Sequence, residues 1–295
     1  MTAVSVIIVN YNAGARLTAC VASVLDTSAA DEIIVVDNAS GDGSLDGLVS
    51  AHGSRKEVRI IRNAANLGFA RACNIGARKA GGEYLFFLNP DGVVEGGTIP
   101  ALVSALESRP DAGMAGARLL NPDGTEQAGG RRHMPTPWRA FVRLSGLYRF
   151  KDHYPDIFAD FLRHQEETPD EPMEVEAVSG ACLMVPRRII DTVGGFDESY
   201  FLHVEDLDWC MRIRRQGRKV LFVPAARVFH SKGGCSHRRP VFVEWHKHRG
   251  LMLFYRRYYG GPLGGVWMPL IALFVWSHFL LAAVIRLWQR GRRAD

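Results

Sequence analysis

From Val4 onward the chain alternates between two textures. Short apolar runs rich in β-branched residues stand at Val4–Val9, Ile33–Val36, Val58–Ile61 and Tyr84–Leu88. Between them, Ala15–Leu25, Ser44–Ser50, Phe69–Lys79 and Thr98–Glu107 place apolar residues at helical spacing. Near-continuous apolar strands alternating with helices predict a parallel-rich sheet covered by helices on both faces, an α/β fold. Ligands of such sheets bind beyond the carboxyl ends of the strands. Three polar clusters, Asn10-Tyr11-Asn12, Asp37-Asn38-Ala39-Ser40 and Asn89-Pro90-Asp91, each follow a strand, so all three are expected on one rim.

The pattern breaks over 121–171. This stretch holds many prolines, Arg131-Arg132-His133 and the aromatics Trp138, Tyr148 and Phe150, and it predicts loops and short helices added to the sheet. A strand texture returns at Met173–Val185, followed by a helical pattern over Val204–Gln216 and a strand at Lys219–Val223. Near the C-terminus, no Asp, Glu, Lys or Arg occurs between Arg257 and Arg286, and Leu263–Ile285 is long enough to cross a hydrocarbon core. It is apolar around its whole circumference, which speaks against a water-facing surface helix. Arg249, Arg256 and Arg257 precede it and Arg286, Arg290, Arg292 and Arg293 follow it. Both flanks are basic, so the excess of positive charge selects no orientation. A single span, a re-entrant helix and an interfacial helix all fit.

Composition changes this picture little. The 295 residues are 47% hydrophobic and 23% charged, enough to bury a core. The net charge of +5 suits anionic lipid, phosphorylated substrates or nucleic acid, but no nucleic-acid module is recognisable, so no nucleic-acid partner is expected. The five cysteines are scattered with no CxxC pair, which argues against structural zinc and for a reducing compartment. Met1 leads almost directly into an apolar strand without a basic n-region, so no cleaved leader is expected.

Candidate chemistry lies on the expected rim. Asp91 at the end of the fourth strand can hold a divalent cation against a diphosphate, although Asn89 to Gly92 also reads as a plain turn. Glu205, Asp206 and Asp208 open a helix. The helix dipole favours one or two acids there, but three repel one another unless they face a cation or act as a base. His230 in Phe229-His230-Ser231-Lys232-Gly233-Gly234 is of a type that ligates metals, and Lys232 can reach a phosphate. Arg71, Asn74 and Arg78 share one face of a helix behind Asn66-Leu67-Gly68, which can meet phosphate or solvent.

Taken in order, VSVIIVNYN, VVDNASGDGS, NLGFARACNIG, FFLNPD, VSGACLMV, GGFDESYFLHVEDLDWCMR and FHSKGG resemble glycosyltransferase family two with its GT-A fold, nearest its rhamnosyltransferase-like branch. The resemblance covers about Val4–Gly234. It implies that Asp91 binds Mg²⁺ or Mn²⁺ with His230, and that Asn89 contacts ribose or metal-bound water. It further implies that Asp206, paired with Glu205, is the base, and that Asn10, Tyr11, Asp37 and Asn66 line the nucleotide pocket. Many relatives carry Asp-Asp after the second strand where this chain has Asp37-Asn38, a departure compatible with a thymidine nucleotide in place of uridine.

The expected activity is inverting sugar transfer from a nucleotide diphosphate, such as dTDP-rhamnose or a UDP-sugar, to a lipid-linked or saccharide acceptor. The expected place is the cytoplasmic face of the cell membrane, in cell-envelope polysaccharide synthesis. On this reading 1–237 form the catalytic domain, and 238–295 a basic linker, a membrane-associated segment at 263–285 and a basic tail. Two rivals stand beside it. A dinucleotide-dependent oxidoreductase would show GxGxxG after the first strand, where Asn10–Arg16 has a single glycine. A non-catalytic sugar-nucleotide binding protein at the membrane would need no base, yet Glu205-Asp206 is present.

Overall fold

The structure, a computed structural model, describes residues 3–231, 239–261 and 264–291. The chain runs β1 (Val4–Asn10), α1 (Arg16–Thr27), β2 (Glu32–Asp37), α2 (Ser44–His52), β3 (Val58–Arg62), α3 (Phe69–Lys79), β4 (Tyr84–Leu88), β5 (Gly92–Val94) and α4 (Thr98–Ser108). It continues through β6 (Ala112–Leu120), β7 (Arg131–Arg132), α5 (Pro137–Ser145), α6 (Pro155–Phe158), β8 (Met173–Val175), β9 (Ala177–Val178), β10 (Cys182–Pro186) and α7 (Arg187–Val193). It ends with α8 (Glu205–Arg215), β11 (Lys219–His230), α9 (Pro240–Tyr259) and α10 (Gly264–Gly291).

One mixed sheet orders the strands β3-β2-β1-β4-β10-β6-β11-β5, with β8 on the edge of β11. The block β3-β2-β1-β4 is parallel, as the apolar runs predict. β10 then enters antiparallel between β4 and β6. Alternate residues feed two cores, one on each face: Ile7 and Val9 pack with α3 and α8, Val6 and Ile8 with α1 and α4. The first face is centred on fully buried Trp209, whose ring meets Phe87 at 5.5 Å and Phe196 at 4.3 Å. This is the α/β architecture expected, with a parallel-rich sheet flanked by helices.

Three elements depart from the reading of the sequence. β6 (AGMAGARLL) carries small residues because its neighbours press against its backbone; a Cβ at Gly116 would lie 2.4 Å from Val178 Cβ. β11 runs on past Val223 to His230. Its pairing with β6 shifts between Val223 and Arg227, where Pro224 has no N–H to give the ladder. The stretch read as a basic linker folds over Pro240–Tyr259 as α9 and buries Met252, Phe254 and Tyr255 against the first core.

Candidate active site

The parallel strands deliver β1 and β2 side by side, with Asn10 paired to Asp37 in register. Asn10 Nδ2 donates to Asp37 Oδ1 at 2.7 Å, and Ser40 N donates to Asp37 Oδ2 at 3.1 Å. Tyr11 sits half-buried at the end of β1. Asn66 Oδ1 accepts from Gly68 N at 3.0 Å and shapes the loop that enters α3. Asn38, the departure from Asp-Asp, is buried; its Nδ2 donates to Gly68 O at 3.1 Å and its Oδ1 accepts from Asn63 Nδ2 at 2.8 Å. A carboxylate could accept there but not donate, so the amide ties the 63–68 loop to β2 in a way aspartate cannot.

Asp91 and His230 meet because β5 pairs antiparallel with β11, setting Gly92 opposite His230. His230 Nε2 lies 3.2 Å from Asp91 Oδ1 and 3.3 Å from Asn89 Nδ2. Gln127 fixes the ring from behind. Its Nε2 donates to His230 O at 2.9 Å and to Asn121 Oδ1 at 3.1 Å, which turns its Oε1 toward His230 Nδ1 at 2.7 Å. With Nδ1 as the donor, the Nε2 lone pair faces Asp91. Both groups are of types that can ligate Mg²⁺ or Mn²⁺. Among the described residues no set of three or more His, Cys, Asp or Glu converges. By themselves the two side chains supply two donor atoms. Lys232 lies outside the described residues.

The three acids of α8 separate into three environments. Asp206 Oδ2 accepts from Arg132 and from Gly180 N at 2.9 Å, and its Oδ1 accepts from Leu207 N at 2.8 Å. Gly180 adjoins Ala181, whose carbonyl accepts from Asn89 N at 2.9 Å, so one strand of backbone links Asp206 to the Asp91 loop. Glu205 is buried and its Oε2 has no hydrogen-bond partner among the described residues. Burial, and then the charge of Asp206, push its carboxyl above the usual range. Asp208 is fully buried and accepts from Arg212 Nε at 2.8 Å, Arg257 Nη1 at 2.8 Å, Tyr258 Oη at 2.8 Å and Tyr200 Oη at 3.3 Å. Its oxygens are saturated, which ties α8 to α9. His203 and Val204, immediately before α8, both have positive φ, 66° and 73°. For a β-branched valine that is a strained conformation, and it lies next to Glu205 at the start of α8.

Arg71 and Arg78 turn to Glu198, at 3.6 and 3.8 Å, and Asn74 grips the Phe196 backbone through Nδ2 to O at 2.8 Å and N to Oδ1 at 3.0 Å. This face of α3 therefore holds the 194–198 turn. Gln127 and Arg132 were not singled out from the sequence; each acts on a residue far along the chain, and nothing local marks it.

Asn10, Asp37, Asn89, Asp91, Asp206 and His230 thus gather on a mixed α/β sheet of the GT-A type. The family model "Glycosyl transferase family 2" matches residues 5–192, and the chain belongs to that family. It is 30% identical over 305 aligned residues to the N-acetylglucosaminyl-diphospho-decaprenol L-rhamnosyltransferase of Mycobacterium tuberculosis, covering 98% of this chain and 95% of that one. Among solved structures it resembles the mannosyltransferase PcManGT from Pyrobaculum calidifontis in complex with GDP-Man and Mn²⁺ (TM-score 0.60, 16% identity, 99% of this chain and 75% of that one). It also resembles GalNAc-T7 with UDP, GalNAc and Mn²⁺ (TM-score 0.58, 22% identity, 78% of this chain and 44% of that one). These structural likenesses establish the fold. The protein is a glycosyltransferase.

Proposed function

We propose that the protein is a metal-dependent inverting transferase. It moves a sugar, best matched by rhamnose from a deoxythymidine diphosphate, onto a lipid-linked acceptor at the cytoplasmic face of the membrane. The observation that carries this is the backbone bridge from Asn89 through Ala181 and Gly180 to Asp206, which sets a base and a diphosphate-binding half-site on one rim. The lipid-linked substrate of the mycobacterial relative, matched over nearly the whole chain, supports the choice of acceptor. The buried Asn38 supports a pocket organised differently from that of relatives with two aspartates.

Asp206 takes the proton of the acceptor hydroxyl as that oxygen attacks the anomeric carbon. The bond from that carbon to the diphosphate oxygen breaks and the diphosphate leaves. Attack opposite the leaving group inverts the centre. Arg132 and two backbone N–H groups hold the Asp206 carboxylate in one orientation. Asp91 and His230 would hold the cation, which when bound neutralises the departing diphosphate. Asn10, Tyr11, Asp37, Asn66 and Asn89 form the nucleotide side.

The test is transfer from a panel of nucleotide sugars, with melting shifts recorded for each. The correct donor at about 100 times its dissociation constant should add roughly 2.7 kcal/mol to stability. Excess chelator should abolish transfer, and Mn²⁺ or Mg²⁺ should restore it. Full activity in chelator sinks the metal role, and donor binding without turnover would favour a non-catalytic binding protein.

A further inference from the structure

The outer face of α10 is unpartnered in a regular way. Val266, Leu270, Leu273, Leu280 and Val284 recur at helical spacing and are each 57–67% exposed. The opposite face is not free. Val275 is buried, the Trp276 ring meets Trp245 of α9 at 5.0 Å, and His278 Nδ1 lies 2.8 Å from His248 Nε2 of α9. Arg286 Nη2 donates to Glu244 Oε1 at 3.4 Å. These pairs run α10 antiparallel along α9. α9 is in turn fixed to the catalytic core by buried Phe254 and Tyr255, and by Arg257 and Tyr258 on Asp208.

That arrangement decides between spanning and lying flat. If α10 crossed a bilayer, α9 beside it would carry exposed Lys247, Arg249 and Arg256 into hydrocarbon, where charges are costly. Lying in the membrane plane, α10 sinks its exposed stripe and leaves α9 in water.

A second apolar face joins the first. Trp138, Phe141 and Leu144 stand at helical spacing on α5 and are 39–49% exposed. The other side of α5 is attached to the protein by Arg139 on Glu176 and Arg143 on Asp160. The Phe141 ring meets Phe274 of α10 at 5.8 Å, so the two faces are continuous. Trp138 Nε1 donates to Ile157 O at 2.7 Å, which extends the surface to exposed Tyr154 and Ile157.

We propose that α5 and α10 together form a monotopic docking face for an anionic lipid bilayer, with α10 in the membrane plane and α5 as its second contact. A bilayer is the occupant that fits. No Asp, Glu, Lys or Arg interrupts the chain between Arg257 and Arg286, tryptophans stand on both α5 and α10, and arginines flank α10 on either side. α5 also begins shortly after Arg132, the residue that holds Asp206.

This deepens the membrane part of the functional reading and rests on it. The test needs neither donor nor acceptor, so its failure is separable from failure of transfer. Full-length protein is sedimented with phosphatidylcholine vesicles, with and without phosphatidylglycerol, at low and high salt. Binding should be stronger with phosphatidylglycerol and should weaken with salt. The variant W138S/F141S/L144S should bind about tenfold or more weakly, and Trp138→Ser alone should weaken binding in the same direction, with circular dichroism and melting unchanged in both. Unchanged binding in folded variants overturns the proposal. So does a vesicle-free dimer that dissociates on the triple substitution, since the face would then belong to a second copy of this chain.

Discussion

Three carboxylates within one helical turn do three different things, and each is separable by substitution. Asp206→Asn preserves shape and removes the proposed proton acceptor. Turnover should fall on the order of 10²–10⁴-fold, with donor affinity, read by melting shift, nearly unchanged because the base faces the acceptor. Near-normal turnover in this variant would mean that another carboxylate is the base. Glu205 behaves differently, because burial and then Asp206 raise its carboxyl above the ordinary range. A group with a raised folded-state value contributes stability that is fully present below the ordinary glutamate value of about 4.3, and that contribution is lost as pH rises through the raised value. Glu205→Gln should therefore flatten the fall in the unfolding midpoint expected of the parent between about pH 4.3 and about 8. An unchanged slope across that window would show that Glu205 is ionised throughout. The sequence motifs named Asp206, Asp91 and His230, and the fold brings Asp91 and His230 within 3.2 Å of each other. Gln127 was not, because it acts 103 residues away from the histidine that it orients, and a glutamine in a loop carries no local signal.

At the scale of elements, the alternation of strand and helix was legible wherever the strands are apolar and continuous, as in β1, β2 and β4. It failed where packing selects small residues. β6 is buried through glycine and alanine, and no periodicity announces it. α9 was read as a linker for its basic residues, such as Lys247, Arg249 and Arg256, and its Gly250 sits against the strained turn before α8; a Cβ there would lie 3.1 Å from His203 O. The join between α8 and α9 rests largely on Asp208. Removing one partner of a buried ionic network leaves the others uncompensated. Asp208→Ala should thus cost about 3–5 kcal/mol of stability, measured by denaturant unfolding, with Arg257, Arg212 and Tyr258 losing their acceptor. A loss of turnover with stability intact would instead place Asp208 in the chemistry.

For the whole molecule, the proposed lipid-linked acceptor raises the question of how the rim would reach a lipid surface. The sequence marked α10 as apolar all round, but the fold gives it two faces, one packed on α9 and one open. α9 belongs to the catalytic core. Its Met252, Phe254 and Tyr255 are buried there, and its Arg257 and Tyr258 complete the shell of Asp208. α10 is an outer layer, tied to α9 by aromatic contacts and by the His248–His278 and Glu244–Arg286 pairs. A cut after Gly261 therefore removes the membrane-facing helix and leaves every proposed donor-side and catalytic residue in its shell. The shortened chain should stay in solution without detergent once Trp245, uncovered by the cut, is changed to a polar residue. It should bind the nucleotide donor with unchanged affinity and keep most of its activity on a short soluble acceptor, while activity on the same acceptor carried by a lipid in vesicles should fall by at least about tenfold, since docking no longer raises the local concentration of the rim at the bilayer. Equal losses on both acceptors would mean that α10 supports the active site itself, and loss of donor binding would mean that it is part of the folding core.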